Sequence, residues 1–371
     1  MNCDELTYRI AFASIRGMGI DLAGKILDVI PSERDFFMMS EEELRAVTGG
    51  KSKVYGRSYR NERLERALRE QEFMSHTNVG ITYYTDSDFP ARLLNAPDAP
   101  IMLYKCGDCN LNSQHVVSIV GTRKATAYGS HFCDSLVAEL AQRVSGLVVV
   151  SGLAYGIDIC AHRACLRHNV PTVAVQARGL NKIYPAEHRN DAIEIVERGG
   201  MIVTDYQSQD EIHRGNFVAR NRIIAALADC TVVAESAGKG GALITANLAQ
   251  SYNRDVFALP GRTSDPYSTG CNKLIRNNQA SLITCADDLI EAMRWGDGSA
   301  GSKKPRELEL FPQFTPEEQA IVDAISKAGD IHINALTAQL GMPVYKVMST
   351  LVELDCRGIV LSKPGCIYSI A

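Results

Sequence analysis

The sequence predicts a mixed α/β protein: a doubly wound, mostly parallel sheet with a helical domain before it and a winged helix after it. Three observations predict this. Apolar residues recur every three or four positions before about residue 77, and short apolar segments alternate with helical stretches from Val116 onward. After Thr315 the order is helix, helix, turn, helix and hairpin.

In the front domain, residues 1–77, Leu6, Ile10 and Ala13, and later Leu64, Ala67 and Leu68, mark the inner faces of helices, with turns at Gly17–Gly19 and Thr48–Gly50. The stretch from Arg45 to Asn61 holds Arg45, Lys51, Lys53, Arg57 and Arg60 without an acid and reads as a basic face. The Gly17-Met18-Gly19 turn resembles helix-hairpin-helix modules, whose backbone amides meet phosphate. From 78 to about 110, ITYYTDSDFP and APDAPIMLY are rich in proline, which favours extended segments and turns, so this part reads as a connector packed on the core after it. Connector and core together make up residues 78–295.

The core strands are VVSIV, LVVVSG, TVAV, MIVT, CTVVAE, DVFALPG and SLIT. Their wholly apolar character suits a sheet covered on both faces. In the segment 128–144, Phe132, Leu136, Leu140 and Val144 form the stripe of a connecting helix. Residues 296–314 begin GDGSAGSKKP, a linker composition. The winged helix, 315–371, opens with Thr315 as N-cap and Pro316 at N1, and its expected recognition helix runs from Val344 to Arg357. It carries four Lys or Arg against six acids, so a protein-contact or modulatory role is expected there rather than the principal binding of a polyanion.

Net charge is only −4, so a polyanionic partner must be met by locally gathered cations. There is no run of 18 apolar residues, and MNCDELTYRI has neither a basic nor an apolar leader region; a cytoplasmic protein without membrane contact is expected. Most of the eleven cysteines sit inside apolar stretches as small core residues, which fits a reducing compartment. Cys106 and Cys109 form one CxxC with no second pair, so no zinc site is expected.

Ligands of a doubly wound sheet lie beyond the carboxyl ends of the strands, which directs attention to the turns there. The first is Gly121-Thr122-Arg123-Lys124, where glycine admits close approach while amides and cations face outward together, an arrangement suited to an anion. The second, Ser151 to Asp158, is built of small residues around Gly152, and tight packing with Asp158 as a helix cap explains it about as well as binding does. It lacks G-x-G-x-x-G, and no acid ends the strand at 172–175 to hold a ribose, which argues against a dinucleotide.

The densest signal is His213-Arg214-Gly215-Asn216-Phe217-Val218-Ala219-Arg220-Asn221-Arg222, with no acid between Ile212 and Ala228. Phe217 is expected to begin a helix whose inner face is Ile223, Ile224 and Leu227, with Arg220 and Asn221 sharing the face of Phe217. Arginines meet phosphates bidentately and an exposed phenyl gives an unpaired base a stacking platform. Further turns add Lys239, Gly240 and Gly241 before a helix, without Walker spacing, then Arg262 and Lys273. No Ser/His/Asp set or carboxylate pair stands out, so the edge reads as one that binds, with no catalytic residue, cofactor or metal.

SIVGTRKATAYG, VVSGLAYGIDICAHRAC, IYPAEHRN, GNFVARNRIIAALAD, GGALITANLAQ, VFALPGR and GCNKLIR, in this order, resemble the DNA-processing protein A (DprA/Smf) family. The resemblance implies an extended Rossmann-like core preceded by a SAM-like or helix-hairpin-helix-like domain. It implies single-stranded DNA as ligand, shielding of incoming strands in natural transformation, loading of the RecA recombinase, and a homodimer through the core. Carried over by motif, Arg123, Arg214, Phe217, Arg220 and Arg222 line the DNA pocket. Gln176-Ala177-Arg178 departs from the smaller residues expected before Gly179, which bears on local loop shape. The alternative is a nucleotide-processing enzyme similar to phosphoribohydrolases on a related core. GKGGALIT is distantly similar to their Gly-rich loop but lacks its proline.

Overall fold

The computed structural model describes residues 3–295 and 314–371. Five helices lead: α1 (Glu5–Ala13), α2 (Ile20–Leu27), α3 (Glu33–Met38), α4 (Glu41–Thr48) and α5 (Arg57–Ser75). Local chemistry sets their ends. Asp4 and Ser32 cap α1 and α3, Ser40 and Glu43 form a capping box on α4, and Gly49 ends α4 in the left-handed conformation.

The expected connector contributes strands instead. β1 (Gly80–Tyr83), α6 (Ala91–Leu94) and β2 (Met102–Gly107) come after α5, and β1 and β2 extend the sheet by antiparallel pairing, with β1 at its edge. Pro90, Pro97 and Pro100 mark the turns between them and leave both strands free of proline. Tyr83, Ile101, Met102 and Tyr104 pack into the core of the helical front with Phe12, Phe36 and Leu44, so these strands form the wall between front and sheet.

The alternation then runs β3 (His115–Gly121), α7 (Ala127–Arg143), β4 (Leu147–Ser151), α8 (Ile157–Arg167), β5 (Thr172–Val175), α9 (Arg189–Glu197), β6 (Met201–Thr204), α10 (Arg214–Leu227), β7 (Cys230–Glu235), α11 (Gly241–Ser251), β8 (Asp255–Ala258), α12 (Thr269–Arg276), β9 (Ser281–Leu282) and α13 (Ala286–Met293). The sheet order is β1-β2-β6-β5-β4-β3-β7-β8-β9, parallel from β6 through β9. Alternate residues serve opposite faces. Val116, Val120, Val148 and Val150 meet α10 and α11, whereas Val117, Ile119, Val149 and Val232 meet α7, α8 and α13. That double coverage is why the strands read as unbroken apolar runs.

The last elements are α14 (Pro316–Ala328), β10 (Ile331–His332), α15 (Ile333–Leu340), α16 (Val344–Cys356), β11 (Val360–Lys363) and β12 (Ile367–Ile370). Thr315 and Glu318 form a capping box ahead of Pro316, and Ile321, Ile325, Leu336, Val347, Leu351 and Val360 fill a separate core. The hairpin tip rests on the sheet's amino edge: Gly365 N donates to Asn253 O at 2.9 Å, and the buried Arg254 donates through Nη1 to Pro364 O at 3.4 Å. The expected linker, 296–314, lies outside the described residues apart from Phe314.

The basic face expected over 45–61 is smaller than the sequence predicts. Arg60 is buried and donates through Nη1 to the carbonyls of Phe36, Phe37 and Met39, closing the end of α3, while Arg45 pairs with Glu41. Lys51, Lys53 and Arg57 are exposed. The turn at Gly17–Gly19 is partly covered, because Gly19 forms a β-bridge with Pro100 and Met18 is buried.

Candidate functional site

The sheet changes winding direction at β3, which has β4 on one side and β7 on the other. The helices after β3 and β7 pack on opposite faces, so the turns at the carboxyl ends diverge here, the place where ligands of such sheets lie. The expected site residues gather along this edge from the turns after β3, β4, β6, β7 and β8.

The first two turns are nested. Ile157 N donates to Thr122 O at 3.1 Å, and Gly156, at φ 78°, lies so close that a Cβ there would collide with Thr122 O and the backbone of Arg123. Gly121 and Thr122 are thereby half-buried, while Arg123 and Lys124 project into solvent. Glu235 is buried and accepts from Thr126 N at 2.9 Å, so it is committed to the start of α7. The guanidinium carbon of Arg123 sits 5.3 Å from the centroid of the Phe217 ring, a cation–π contact between segments far apart in sequence.

Helix α10 begins at Arg214, one turn earlier than expected. His213 is its N-cap, its ring accepting from Gly215 N at 3.1 Å. Arg214 is therefore exposed in the first turn, where the helix dipole disfavours a cation by about 0.3 to 1 kcal/mol unless an anion is near. The helix α11 starts at exposed Gly240 and Gly241 with no side-chain cap and no acid in its first turn, beside exposed Lys239. Its first amides point outward at the same edge. Exposed Arg262 and Lys273 come from two segments tied together by Asn272, whose amide donates to Gly261 O at 2.9 Å and accepts from Gly261 N at 3.2 Å.

Other members of the expected set are interior. Arg220 does not lie open beside Phe217 as the shared-face spacing predicts. It is 3% exposed, donates through Nη1 to Val175 O at 2.7 Å, and faces Asp158 across Gly152, where a Cβ would occupy the guanidinium's position. Asp158 accepts from the amides of Gly152 and Ala154, and burial pushes its carboxyl above the usual range against the pull of Arg220. Asn216 is 1% exposed and donates to Ala177 O at 3.2 Å and Glu211 O at 3.1 Å. Asn221 is buried and donates to Gly241 O at 3.4 Å, joining the starts of α10 and α11. Arg222 is held by Asp205 at 2.7 Å and by Asp98 O, so its charge is already answered inside the chain. Spacing on a helix places residues on one side but does not say where the neighbouring strand ends. Here β5 ends under Arg220.

Residues outside the expected set join the edge from the loop after β5, where Arg178, Lys182 and Tyr184 stand, and from the turn after β4, where Tyr155 is exposed. The Tyr184 ring is 5.3 Å from that of Phe217. The rule that sends attention to residues just after a strand covers this loop equally; its signal is two cations and a tyrosine around Gly179. Among the described residues, no acid lies within ion-pair distance of Arg123, Lys124, Arg178, Lys182, Arg214, Lys239, Arg262 or Lys273.

The segment entering α10 is fixed from the helical front. Glu70, buried on α5, accepts from Ser208 N at 2.8 Å, Arg69 Nε donates to Gln209 Oε1 at 2.7 Å, and Arg66 pairs with Asp210. His162, on the helix that follows the second turn, is wholly buried against Thr172, and desolvation pushes its pKa down to about 3. It is neutral and inaccessible.

A sequence model of the family described as DNA recombination-mediator protein A matches residues 80–294, and one described as the DprA winged helix domain matches 303–366. Protein Smf of Escherichia coli K12 is 32% identical over 297 residues, covering 76% of this chain and 75% of that protein. DNA processing protein DprA of Bacillus subtilis is 35% identical over 210 residues, covering 56% of this chain and 69% of that protein. Two solved structures are also similar. DNA processing protein A from Streptococcus pneumoniae has a TM-score of 0.64 at 28% identity, covering 78% of this chain and 98% of that one. The Helicobacter pylori protein, described for its single-stranded DNA binding mode, has a TM-score of 0.52 at 31% identity, covering 59% of this chain and 97% of that one.

Proposed function

This chain belongs to the DNA recombination-mediator protein A family, and we propose accordingly that it is a single-stranded DNA-binding recombination mediator. In this reading it protects incoming DNA in natural transformation and loads RecA onto it, working as a cytoplasmic homodimer joined through the Rossmann-like core. The observation that carries the reading is the carboxyl edge itself. Its exposed cations have no acidic partner among the described residues, and one of them, Arg123, lies upon the half-buried Phe217 ring. Unanswered cations attract a phosphate backbone, and a ring among them selects strands whose bases are unpaired. A salt titration of binding to single- and double-stranded DNA of equal length tests it; the single strand should bind more tightly at every salt concentration.

Arg123, Lys124, Arg214, Lys239, Arg262, Lys273, Phe217 and the amides of Gly240 and Gly241 are the proposed contacts, with Gly121, Thr122, Gly152, Asn216, Arg220, Asn221 and Arg222 shaping the surface beneath. Arg123→Ala should weaken binding similarly for all sequences, because a guanidinium on phosphate reads no base, and should reduce the salt slope by about 0.7. An unchanged slope and affinity would return the first turn to a packing role.

No turnover is part of this reading. The buried, neutral His162 and the amide-bound Asp158 are poorly placed for acid–base work. Incubation with nucleoside monophosphates should release no base. No described helix is long and apolar enough to cross a membrane.

The division into 1–77, 78–295, 296–314 and 315–371 forms part of the proposal, with the winged helix in a modulatory role. The cations of α16 and its C-cap are occupied within the chain, Lys346 by Glu317 and Arg357 by Glu318, and the hairpin tip is docked at the amino edge. Tyr345, 76% exposed, with Met348 and Val352, gives α16 an apolar outer face. Deleting residues 306–371 should leave strand binding by the core within a few-fold. A hundredfold loss would overturn this division of labour.

A further inference from the structure

The loop after β5 carries a residue whose position nothing in the fold's packing demands. Tyr184 is 43% exposed, yet its ring stands 5.3 Å from that of Phe217, the planes inclined by 58°, and Arg123 stands 5.3 Å from the same phenyl. Its backbone is pinned by a buried side chain. Gln176, 1% exposed at the end of β5, accepts from Tyr184 N through Oε1 at 3.0 Å, while its own N donates to Val203 O at 2.8 Å. The Nε2 of Gln176 is buried without a hydrogen-bond partner among the described residues, a desolvation cost carried by the side chain that holds this exposed aromatic residue in place. Tyr155, exposed on the adjacent turn, is fixed similarly, its hydroxyl donating to Glu187 at 2.8 Å and its ring 5.0 Å from His188.

Resting on the single-strand reading above, we infer that Tyr184 is a second base-stacking residue, which takes the unpaired base next to the one on Phe217, and that Gln176 is its positioning residue. The inclined planes exclude a base held between the two rings, so they form consecutive steps of one aromatic surface. Adjacent nucleotides of an unstacked strand meet one ring each, with phosphates toward Arg123 and the cations of the loop, Arg178 and Lys182. Every base has a π-face, so the step adds affinity without adding sequence preference.

The test measures anisotropy of the full-length chain with a labelled oligo-dT and with an oligonucleotide of the same length made wholly of abasic residues. Tyr184→Ala should weaken oligo-dT binding about five- to hundredfold, leave the abasic strand within about twofold, and Tyr184→Phe should bind as the parent does. Gln176→Met should lose part of the same affinity and add little to Tyr184→Ala, whereas Gln176→Glu, which keeps an acceptor for Tyr184 N, should recover it. Thermal melts of each variant separate these effects from unfolding. If Tyr184→Ala binds both strands as the parent does, or loses equally on both, the stacking role is overturned. Failure of the single-strand reading is seen elsewhere, in a parent protein that binds neither strand or binds a duplex of equal length as tightly as oligo-dT.

Discussion

Phe217→Ala weakens single-strand binding by about 1 to 3 kcal/mol while the dependence of affinity on salt stays as in the parent, because a stacked base releases no counterions. Phe217→Trp retains most binding, since a larger ring still offers a face. Arg214→Ala behaves oppositely: the slope flattens by about 0.7 for the lost phosphate contact, and Arg214→Lys largely restores it. The geometry makes the separation clean. Phe217 is half-buried against Tyr184 under Arg123, whereas Arg214 is exposed in the first turn of α10 with no acid within ion-pair distance among the described residues. Fluorescence anisotropy across a salt series reads both quantities, with a thermal melt as control. A Phe217→Ala protein that melts much earlier, yet binds DNA normally in its folded fraction, would make the ring a core residue and end the stacking role.

Arg220→Met, three residues further along the same helix, damages stability instead. It leaves Asp158 buried without the facing guanidinium and Val175 O without its donor, and removing one member of a buried charge pair costs about 3 to 5 kcal/mol. The loss depends on pH with a definite sign. Burial already holds the Asp158 carboxyl above its usual range, and Arg220 is the second influence acting on it, pulling it down. Without Arg220 it rises further, so the variant's stability is lost as pH rises through that elevated value and the carboxylate must ionise in the interior. The deficit against the parent is therefore largest near neutral pH and narrows toward acid, where Asp158 is protonated in both proteins. Urea unfolding at several pH values measures it. Unchanged stability with a flattened salt slope would make Arg220 a phosphate contact after all.

The two outcomes differ because α10 crosses the end of β5, a relation absent from the periodicity of either segment. From sequence, Phe217, Arg220 and Asn221 share one side of a helix. In the fold Phe217 reaches Tyr184 and Arg123 at the carboxyl edge, Arg220 passes to Val175 O, and Asn221 turns to Gly241 O. The same kind of tertiary decision removed Arg60 from the basic face of the front, where three carbonyls ending α3 needed a donor. It also turned the connector into β1 and β2, because Tyr83 and Tyr104 have a helical front to pack against.

Local patterning was enough for the architecture and the family. Unbroken apolar strands between amphipathic helices specify a covered parallel sheet, Thr315-Pro316 starts the first helix of the winged domain, and the motifs from GTRK to GCNK identify the family. Which cations are free and which are spent was settled by folding alone. Arg214 and Arg222 look alike in sequence, yet one stands open at a helix start while the other is neutralised by Asp205, a residue seventeen positions away. Charge is a property of the residue, but its availability depends on what the folded chain brings within a few ångströms of it.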